Sequence, residues 1–595
     1  MTLYISTQSI SKSYGVLPLF SNISLGFFAN ERLGLIGPNG SGKTTLLKML
    51  MGFEEPDSGQ ISLKRGTHLV YLSQEDQFNP KRTVEETLFD SLSEELEEAE
   101  RYQRIREIKQ RMELINAEQQ VGTLSGGWVK RLAILCALIQ QPDLLLMDEP
   151  TNHLDLDGIL WLEKVLKEAS FAFVLVSHDR YFLENTTNRI IDLNRQYPQG
   201  FLKVEGNYSE FLKRREALIN EQAEQEMVLS NKVRRELEWL QRGPRARTTK
   251  ARFRIDHAHQ LQDELRQVKE RNTQNRTTQI DFDATHRKTK KLLEAEGLEI
   301  RRNENLIFEN LNVILSPGMC LGLIGQNGSG KTTLVNLLNG TSLPDAGTIK
   351  KADNLKIVTF DQHRDQLNPD QTLRQALSPA GETVIYRGSP LHIVSWAKRF
   401  LFRSEQLDLP LSQLSGGERA RVLVAHLMLQ PADILLLDEP TNDLDIQTLE
   451  VLEESLEGFP GAIVLITHDR FFLDRLSDML LYLDGSGSAE FYADYDQWLQ
   501  TQNSTIPESP NDTNSPKKKK VRKLSYEEQK ELNRIETKIQ KAEESVISLQ
   551  QQLQDPEIMS DAERLAALCV RCEEAEGRVE VLYERWEELE ALNQK

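Results

Sequence analysis

Cysteine is scarce. The 595-residue chain holds 4, Cys136, Cys320, Cys569 and Cys572. That is too few for a disulfide scaffold and fits a reducing compartment. Cys569 and Cys572 make a lone C-x-x-C with no second Cys/His pair nearby to complete a tetrahedral site. On a helix such residues are simply neighbours on one face, so no metal or redox chemistry is expected there. Long apolar runs are also missing. None approaches the ~18–20 residues that span a bilayer; the strongest, 171–176 and Ala462–Ile466, have the length of buried strands. The first residues lack the basic and apolar regions of a signal peptide. These absences exclude a transporter carrying its own membrane pathway and point to a cytoplasmic protein. Net positive charge is lacking too: the formal net charge is −19. A uniformly acidic surface repels phosphate, so any contact with nucleic acid must come from local basic segments.

What is present reads as folded protein. Hydrophobic residues make up 39% and charged residues 27%, near globular averages. The length exceeds what one core supports, so two large domains with something added are expected. The chain also repeats itself. Gly37-Pro38-Asn39-Gly40-Ser41-Gly42-Lys43-Thr44-Thr45 recurs as Gly325-Gln326-Asn327-Gly328-Ser329-Gly330-Lys331-Thr332-Thr333. Leu124-Ser125-Gly126-Gly127 recurs as Leu414-Ser415-Gly416-Gly417, Asp148-Glu149-Pro150-Thr151-Asn152 as Asp438-Glu439-Pro440-Thr441-Asn442, and Ser177-His178-Asp179-Arg180 as Thr467-His468-Asp469-Arg470. The offset is 288 at the first motif and 290 at the others. Common order and spacing mean one domain written twice.

Each nine-residue run is a complete G-x-x-x-x-G-K-[ST] loop. Each follows an apolar strand, Arg32–Ile36 or Cys320–Ile324, and precedes a helical pattern at 46–50 or 334–338. The glycines let the backbone close around phosphates met by N–H groups and a helix N-terminus. Lys43 and Lys331 reach toward the β- and γ-phosphates, and Thr44 and Thr332 offer a hydroxyl to Mg²⁺. The apolar runs 144–147 and 435–437 end in paired acids, as central parallel strands do where ligands bind. Asp148 and Asp438 are therefore candidate Mg²⁺ holders. Glu149 and Glu439 are candidate polarisers of the attacking water, and His178 and His468 are candidate γ-phosphate contacts. Each Leu-Ser-Gly-Gly precedes a helical pattern and is a second phosphate reader, so each copy carries two phosphate sites that one nucleotide cannot obviously share.

A P-loop, L-S-G-G, D-E-P-T-N and a switch histidine in this order resemble the ABC ATPases. The resemblance implies an α/β fold, with two tandem P-loop ABC ATPase domains binding ATP and Mg²⁺ head to tail. One site would pair Lys43, Gln74, Glu149 and His178 with Ser415 and Gly417. The other would pair Lys331, Gln362, Glu439 and His468 with Ser125 and Gly127. Gln74 and Gln362 would join the metal set, and Tyr14 would stack on adenine in copy one, where alignment puts Arg302 in copy two. Arginine also stacks on bases. Copy two has Asp443 where copy one has His153, so unequal hydrolysis at the two sites is open.

Copy one is expected over 1–205 and copy two over 295–500. Between them, 206–294 reads as a charged helical linker whose middle, 242–254, is strongly basic around Gly243-Pro244. Residues 501–524 read as a flexible, basic linker, rich in Ser, Asn, Thr and Pro and ending in the basic run 517–523. Two charged helices about Asp555-Pro556 then suggest an α-helical coiled-coil hairpin over 525–595. Tandem domains, no membrane segment and such a linker resemble the ABC-F family. Leu-Ser-Gly-Gly-Trp128 and the C-terminal hairpin resemble its Uup type. The resemblance implies a monomer with intramolecular pairing of its ATPase domains, and ribosome contact (rRNA and tRNA) through the linker, whose basic tip suits phosphate. It leaves open a DNA-associated role in repair or recombination through the C-terminal hairpin. A transporter ATPase with a separate membrane partner is disfavoured, since such a subunit has no evident need for a basic spear between its halves. The short stretch between Gln74 and Leu124 leaves little room for an additional arm.

Overall fold

The computed structural model describes residues 2–504, apart from 15–16, 75–77, 94–95, 112–116, 153, 242–256, 267, 270–289, 303–304, 361–367, 379–380, 387–388, 401, 415 and 442–443. Gln362, Ser415, the His153/Asp443 difference, the basic linker tip, the basic run 517–523, Cys569, Cys572 and the expected hairpin lie outside the described residues. Those described fall within one compact unit, Met1–Thr505.

Each copy is built on a six-stranded sheet. In copy one the order is Phe201–Glu205, Arg189–Leu193, Arg32–Ile36, Ala172–Val176, Leu144–Asp148 and Leu69–Leu72. All neighbours are parallel except the first pair. Copy two repeats this with Ala489–Tyr492, Met479–Leu483, Cys320–Ile324, Ala462–Ile466, Ile434–Asp438 and Ile357–Phe360. Period-two alternation splits the central strands between two cores. Leu145 and Met147 face one apolar cluster, and Leu144 and Leu146 the other. Leu435 and Leu437 divide from Ile434 and Leu436 in the same way. Burial on both faces is why these strands are continuously apolar. A smaller antiparallel sheet covers one side of each copy, built on Leu3–Tyr14 and on Leu293–Arg302.

The helix after each P-loop is longer than its apolar pattern suggested: Lys43–Met51 and Lys331–Asn339. Gly42 and Gly330 cap them in the left-handed region (φ 96° and 100°), without a side-chain cap. The first-turn N–H groups are therefore left for a ligand.

The two copies are interlocked. Leu156 of copy one lies in the core cluster of copy two, and Ile446 of copy two lies in that of copy one. Both are buried. The helix Tyr208–Gln241 leaves copy one with Tyr208 and Phe211 in its core. One turn on, Arg215 donates to Glu450 of copy two at 2.8 Å. Three boundaries shift slightly. The linker helix begins at Tyr208, and the first strand of copy two begins at Leu293 rather than at 295. The final helix, Tyr495–Ser504, continues into 501–504, assigned above to the flexible linker, because Tyr495 and Trp498 anchor it in the core. Among the described residues no helix is long and apolar enough to cross a membrane.

Candidate active site

The P-loops turn back at Gly37 and Gly325, both with φ 147°. A Cβ there would lie 2.5 Å from Leu193 O or 2.3 Å from Leu483 O, so only glycine fits. Lys43 Nζ donates to Gly37 O at 2.7 Å and Pro38 O at 3.3 Å. Lys331 repeats this with Gly325 O at 2.6 Å and Gln326 O at 2.9 Å. Both lysines are buried, and burial pulls their pKa below the ordinary value although nearby carboxylates pull it back. The hydroxyls of Ser41 and Ser329 are buried without a hydrogen-bond partner. An orphan donor in each cradle is what a phosphate oxygen would satisfy.

The acidic strand ends carry strain. Glu149 and Glu439 sit at φ 48° and 50°, a left-handed conformation that a non-glycine residue holds only when its surroundings impose it. Their N–H groups donate to Val176 O and Ile466 O, at 3.0 and 2.9 Å, just before the switch loops. Each carboxylate thereby meets its histidine: His178 Nε2 is 3.2 Å from Glu149 Oε1, and His468 Nε2 is 3.2 Å from Glu439 Oε1. Burial, then the nearby lysine, pushes both imidazoles down to about 3. Both are therefore neutral at physiological pH. Burial also pushes Glu439 up to about 8, against the pull of Lys331.

Thr332 Oγ1 donates to Asp438 Oδ2 at 2.9 Å, and the Thr44 hydroxyl bonds Asp148. Hydroxyl and carboxylate oxygens at a phosphate cradle are the hard donors Mg²⁺ selects. Asp148 is raised by burial, with Thr44 opposing. Tyr71, on the neighbouring strand, adds a 3.3 Å bond to Asp148; copy two has Thr359 at that place in its strand.

Across the copies the Asn39 N–H donates to Asp445 Oδ2 at 2.8 Å. Gln326 Nε2 donates to Asp157 Oδ2 at 3.0 Å. One cavity of about 1320 Å³ runs between the copies. Its wall includes Gly40, Gly42, Lys43, Thr44 and Thr45 with their counterparts Gly328, Gly330, Lys331, Thr332 and Thr333. It also includes Gln74, Asp148, Glu149 and His178 from copy one, and Asp438, Glu439 and His468 from copy two. Ser125, Gly126 and Gly127 face it from one side and Gly417 from the other. Gly416 opens the helix Gly416–Leu427. Tyr14, half exposed with its hydroxyl on Glu54, and Arg302 both line the cavity.

Sequence reasoning assigned no role to several of these groups. Asp445 closes the repeated D-E-P-T-N-x-L-D run, and that repetition was the available signal. Lys130, almost wholly buried, donates to Ser73 O at 2.9 Å and Gln74 O at 3.2 Å. It thus ties the helix Gly126–Leu138 to the Gln74 loop. Copy two has Ala420 there, and that departure between repeats was the only clue.

Residues 20–152 and 308–442 match the ABC transporter family, and 523–591 match the ABC transporter C-terminal domain. The chain is 33% identical to the uncharacterized ABC transporter ATP-binding protein YfmR of Bacillus subtilis (strain 168), over 99% of both chains. It is 32% identical to the ATP-binding protein Uup of Escherichia coli (strain K12), again over 99% of each. It is also 32% identical to the energy-dependent translational throttle protein EttA of the same strain, over 80% of this chain and 91% of that one. Among solved structures, the archaeal ribosome recycling factor aABCE1, in complex with the stalk protein aP1, shares the fold. Its TM-score is 0.57 at 21% identity, covering 84% of this chain and 94% of that one.

Proposed function

Because this chain belongs to the ABC-F family of ATP-binding cassette proteins and is similar to its Uup type, we propose that it is an ATP-driven clamp acting on the ribosome in translation. It binds two Mg·ATP between its copies and leaves the ribosome after hydrolysis. The observation that carries this reading is the shared cavity, to which each copy brings a P-loop, copy one its Ser125-Gly126-Gly127 turn and copy two Gly417. Lys43, the orphan Ser41 hydroxyl and the first-turn N–H groups hold the phosphates of one nucleotide, and Ser415 and Gly417 close over it. Lys331 and Ser329 do the same with Ser125 and Gly127. Tyr14 stacks on one base and Arg302 on the other. Thr44, Asp148 and Gln74, and likewise Thr332, Asp438 and Gln362, would hold Mg²⁺, which supplies charge neutralisation at the β- and γ-oxygens. Glu149 accepts the proton of the attacking water, and Glu439 does the same once it has given up the proton it holds in the nucleotide-free chain. His178 and His468, neutral, donate Nε2–H to orient that carboxylate and then the γ-phosphate oxygens.

The ribosomal assignment rests on the name of the EttA relative and on the linker. The helix Tyr208–Gln241 is anchored in copy one and tied to copy two by Arg215, so clamp closure moves its base. Its basic continuation at 242–254 meets RNA phosphate. The test is sucrose-gradient sedimentation of the full chain carrying Glu149→Gln and Glu439→Gln, with ATP and cell extract. Co-migration with ribosomes that survives DNase supports the reading. Protein left at the top of the gradient at low salt sinks it, and binding lost to DNase would favour action on DNA through the C-terminal segment.

A further inference from the structure

Arg180 follows His178-Asp179 directly, yet its side chain does not stay in its own copy. It crosses to Glu453, donating from Nη1 to Oε2 at 3.1 Å and from Nη2 to Oε1. Nη2 also lies 3.7 Å from Asp469 Oδ2. Asp469 is the residue after the other switch histidine. Copy two returns the contact: Arg470 Nη1 donates to Glu163 Oε2 at 2.8 Å, and Nη2 lies 3.6 Å from Asp179 Oδ2. The side chains of all six residues are 9% exposed or less. Each aspartate is doubly engaged. Asp179 Oδ1 caps its own helix through Phe182 N at 2.8 Å, while Oδ2 faces the opposite arginine. Asp469 Oδ1 likewise takes Phe472 N at 3.1 Å. Aromatic faces complete the crossing: Arg180 lies 4.0 Å over Phe471, and Arg470 5.5 Å over Tyr181.

Six buried charges at a pseudo-two-fold seam are costly unless all are paired, and here the two aspartates and two arginines sit one and two residues beyond His178 and His468. Buried guanidinium groups hydrogen-bonded to one carboxylate of the other copy and facing a second at 3.6–3.7 Å tolerate little displacement. A shift of either switch loop therefore drags the other. We propose that Arg180 and Arg470 form a crossed latch that makes the two switch loops one unit, so that the nucleotide state at one composite site sets the competence of the other. They are positioning residues acting through His178 and His468. The proposal rests on the two-site reading above.

The test is steady-state ATP hydrolysis by the full chain. With the latch intact, Glu149→Gln alone holds the shared loops in the uncleaved state. It lowers total turnover about tenfold or more, rather than leaving half, and Glu439→Gln alone does likewise. Adding the neutral pair Arg180→Gln with Glu453→Gln and its counterpart Arg470→Gln with Glu163→Gln, which takes away both arms of the latch, returns the single Glu→Gln chain to half of the latch variant's own rate. If each single Glu→Gln chain keeps half the wild-type rate, the coupling does not exist, and this arm needs no change at the latch. Suppression that persists after the latch is neutralised also overturns it. Should the neutral pair fail to fold, Arg180→Lys keeps the charge but loses the fork, and it is expected to relieve part of the suppression. Wild-type hydrolysis by the double Glu149→Gln, Glu439→Gln chain would overturn the site reading itself, and the latch with it.

Discussion

The backbone N–H of Asn39 donates to Asp445 across the copies, joining positions 406 residues apart at 2.8 Å. The same aspartate caps the helix Ile446–Glu457 through Thr448 N at 2.9 Å and receives Arg421 at 3.4 Å. Burial opposes its charge, but Arg421 and the Asn39 N–H hold its carboxyl below the usual range. A phosphate cradle in one copy is thus fastened to a helix end in the other.

Asp445→Ala removes both the cap and the tie. The cap alone is worth about 1 kcal/mol, so the melting temperature of the nucleotide-free chain falls. The apparent KM for ATP rises as well, because site one loses its closing contact. A KM equal to wild type would show that the tie is structural only.

Replacing Glu149 and Glu439 together by Gln keeps the cradles and removes the proton acceptors. ATP binding, followed by titration calorimetry, stays within a few-fold of wild type. Phosphate release falls by roughly 10²–10⁴-fold, the usual contribution of a positioned base.

Glu439 gives a pH signature in stability. Its folded-state pKa, about 8, lies above the ordinary 4.5, so between these values the folded chain holds a proton that the unfolded chain releases. Stability therefore falls as pH rises through this window. Gln cannot ionise. Glu439→Gln should match wild type in Tm near pH 4.5 and exceed it increasingly toward pH 8, in nucleotide-free thermal melts. A constant difference across the range would contradict the burial argument.

At Gly37 the backbone is in a region L-residues avoid, and an added Cβ would meet Leu193 O at 2.5 Å. Gly37→Ala costs on the order of 1–3 kcal/mol through strain. It also abolishes the thermal shift produced by Mg·ATP, since the loop must move off the phosphate. Retention of the full shift would refute the close-approach argument.

What was legible in the chain is what is local. The P-loop strands end where their apolar runs end, and Arg32–Ile36, Cys320–Ile324 and Ala462–Ile466 match the structure residue for residue, because a central strand must be apolar on both faces. The nucleotide helices were read short: Lys43 and Thr44 carry no apolar periodicity, and the left-handed Gly42 sets the true start. Beyond the head-to-tail order that the resemblance implied, the side-chain pairings across the copies were not legible. Arg180 and Glu453 are 273 positions apart, and nothing near either names the other. The strained φ of Glu149 and Glu439 was equally hidden, since D-E looks like any acidic strand end until its neighbours are placed.

The exchange of Leu156 and Ile446 between the two cores gives the chain the quaternary logic of a dimer. Each half presents a plug and a socket related by pseudo-two-fold symmetry, as an isologous interface requires. A half expressed alone would therefore expose an unfilled socket beside an unburied plug that fits it, and self-association is its cheapest way to cover both. Tethering by 206–294 makes the correct pairing intramolecular, and so favoured by effective concentration over homodimers of either half. It also lets the two subunits drift apart in sequence, as Pro38 and Gln326, or Lys130 and Ala420, have done, without breaking assembly.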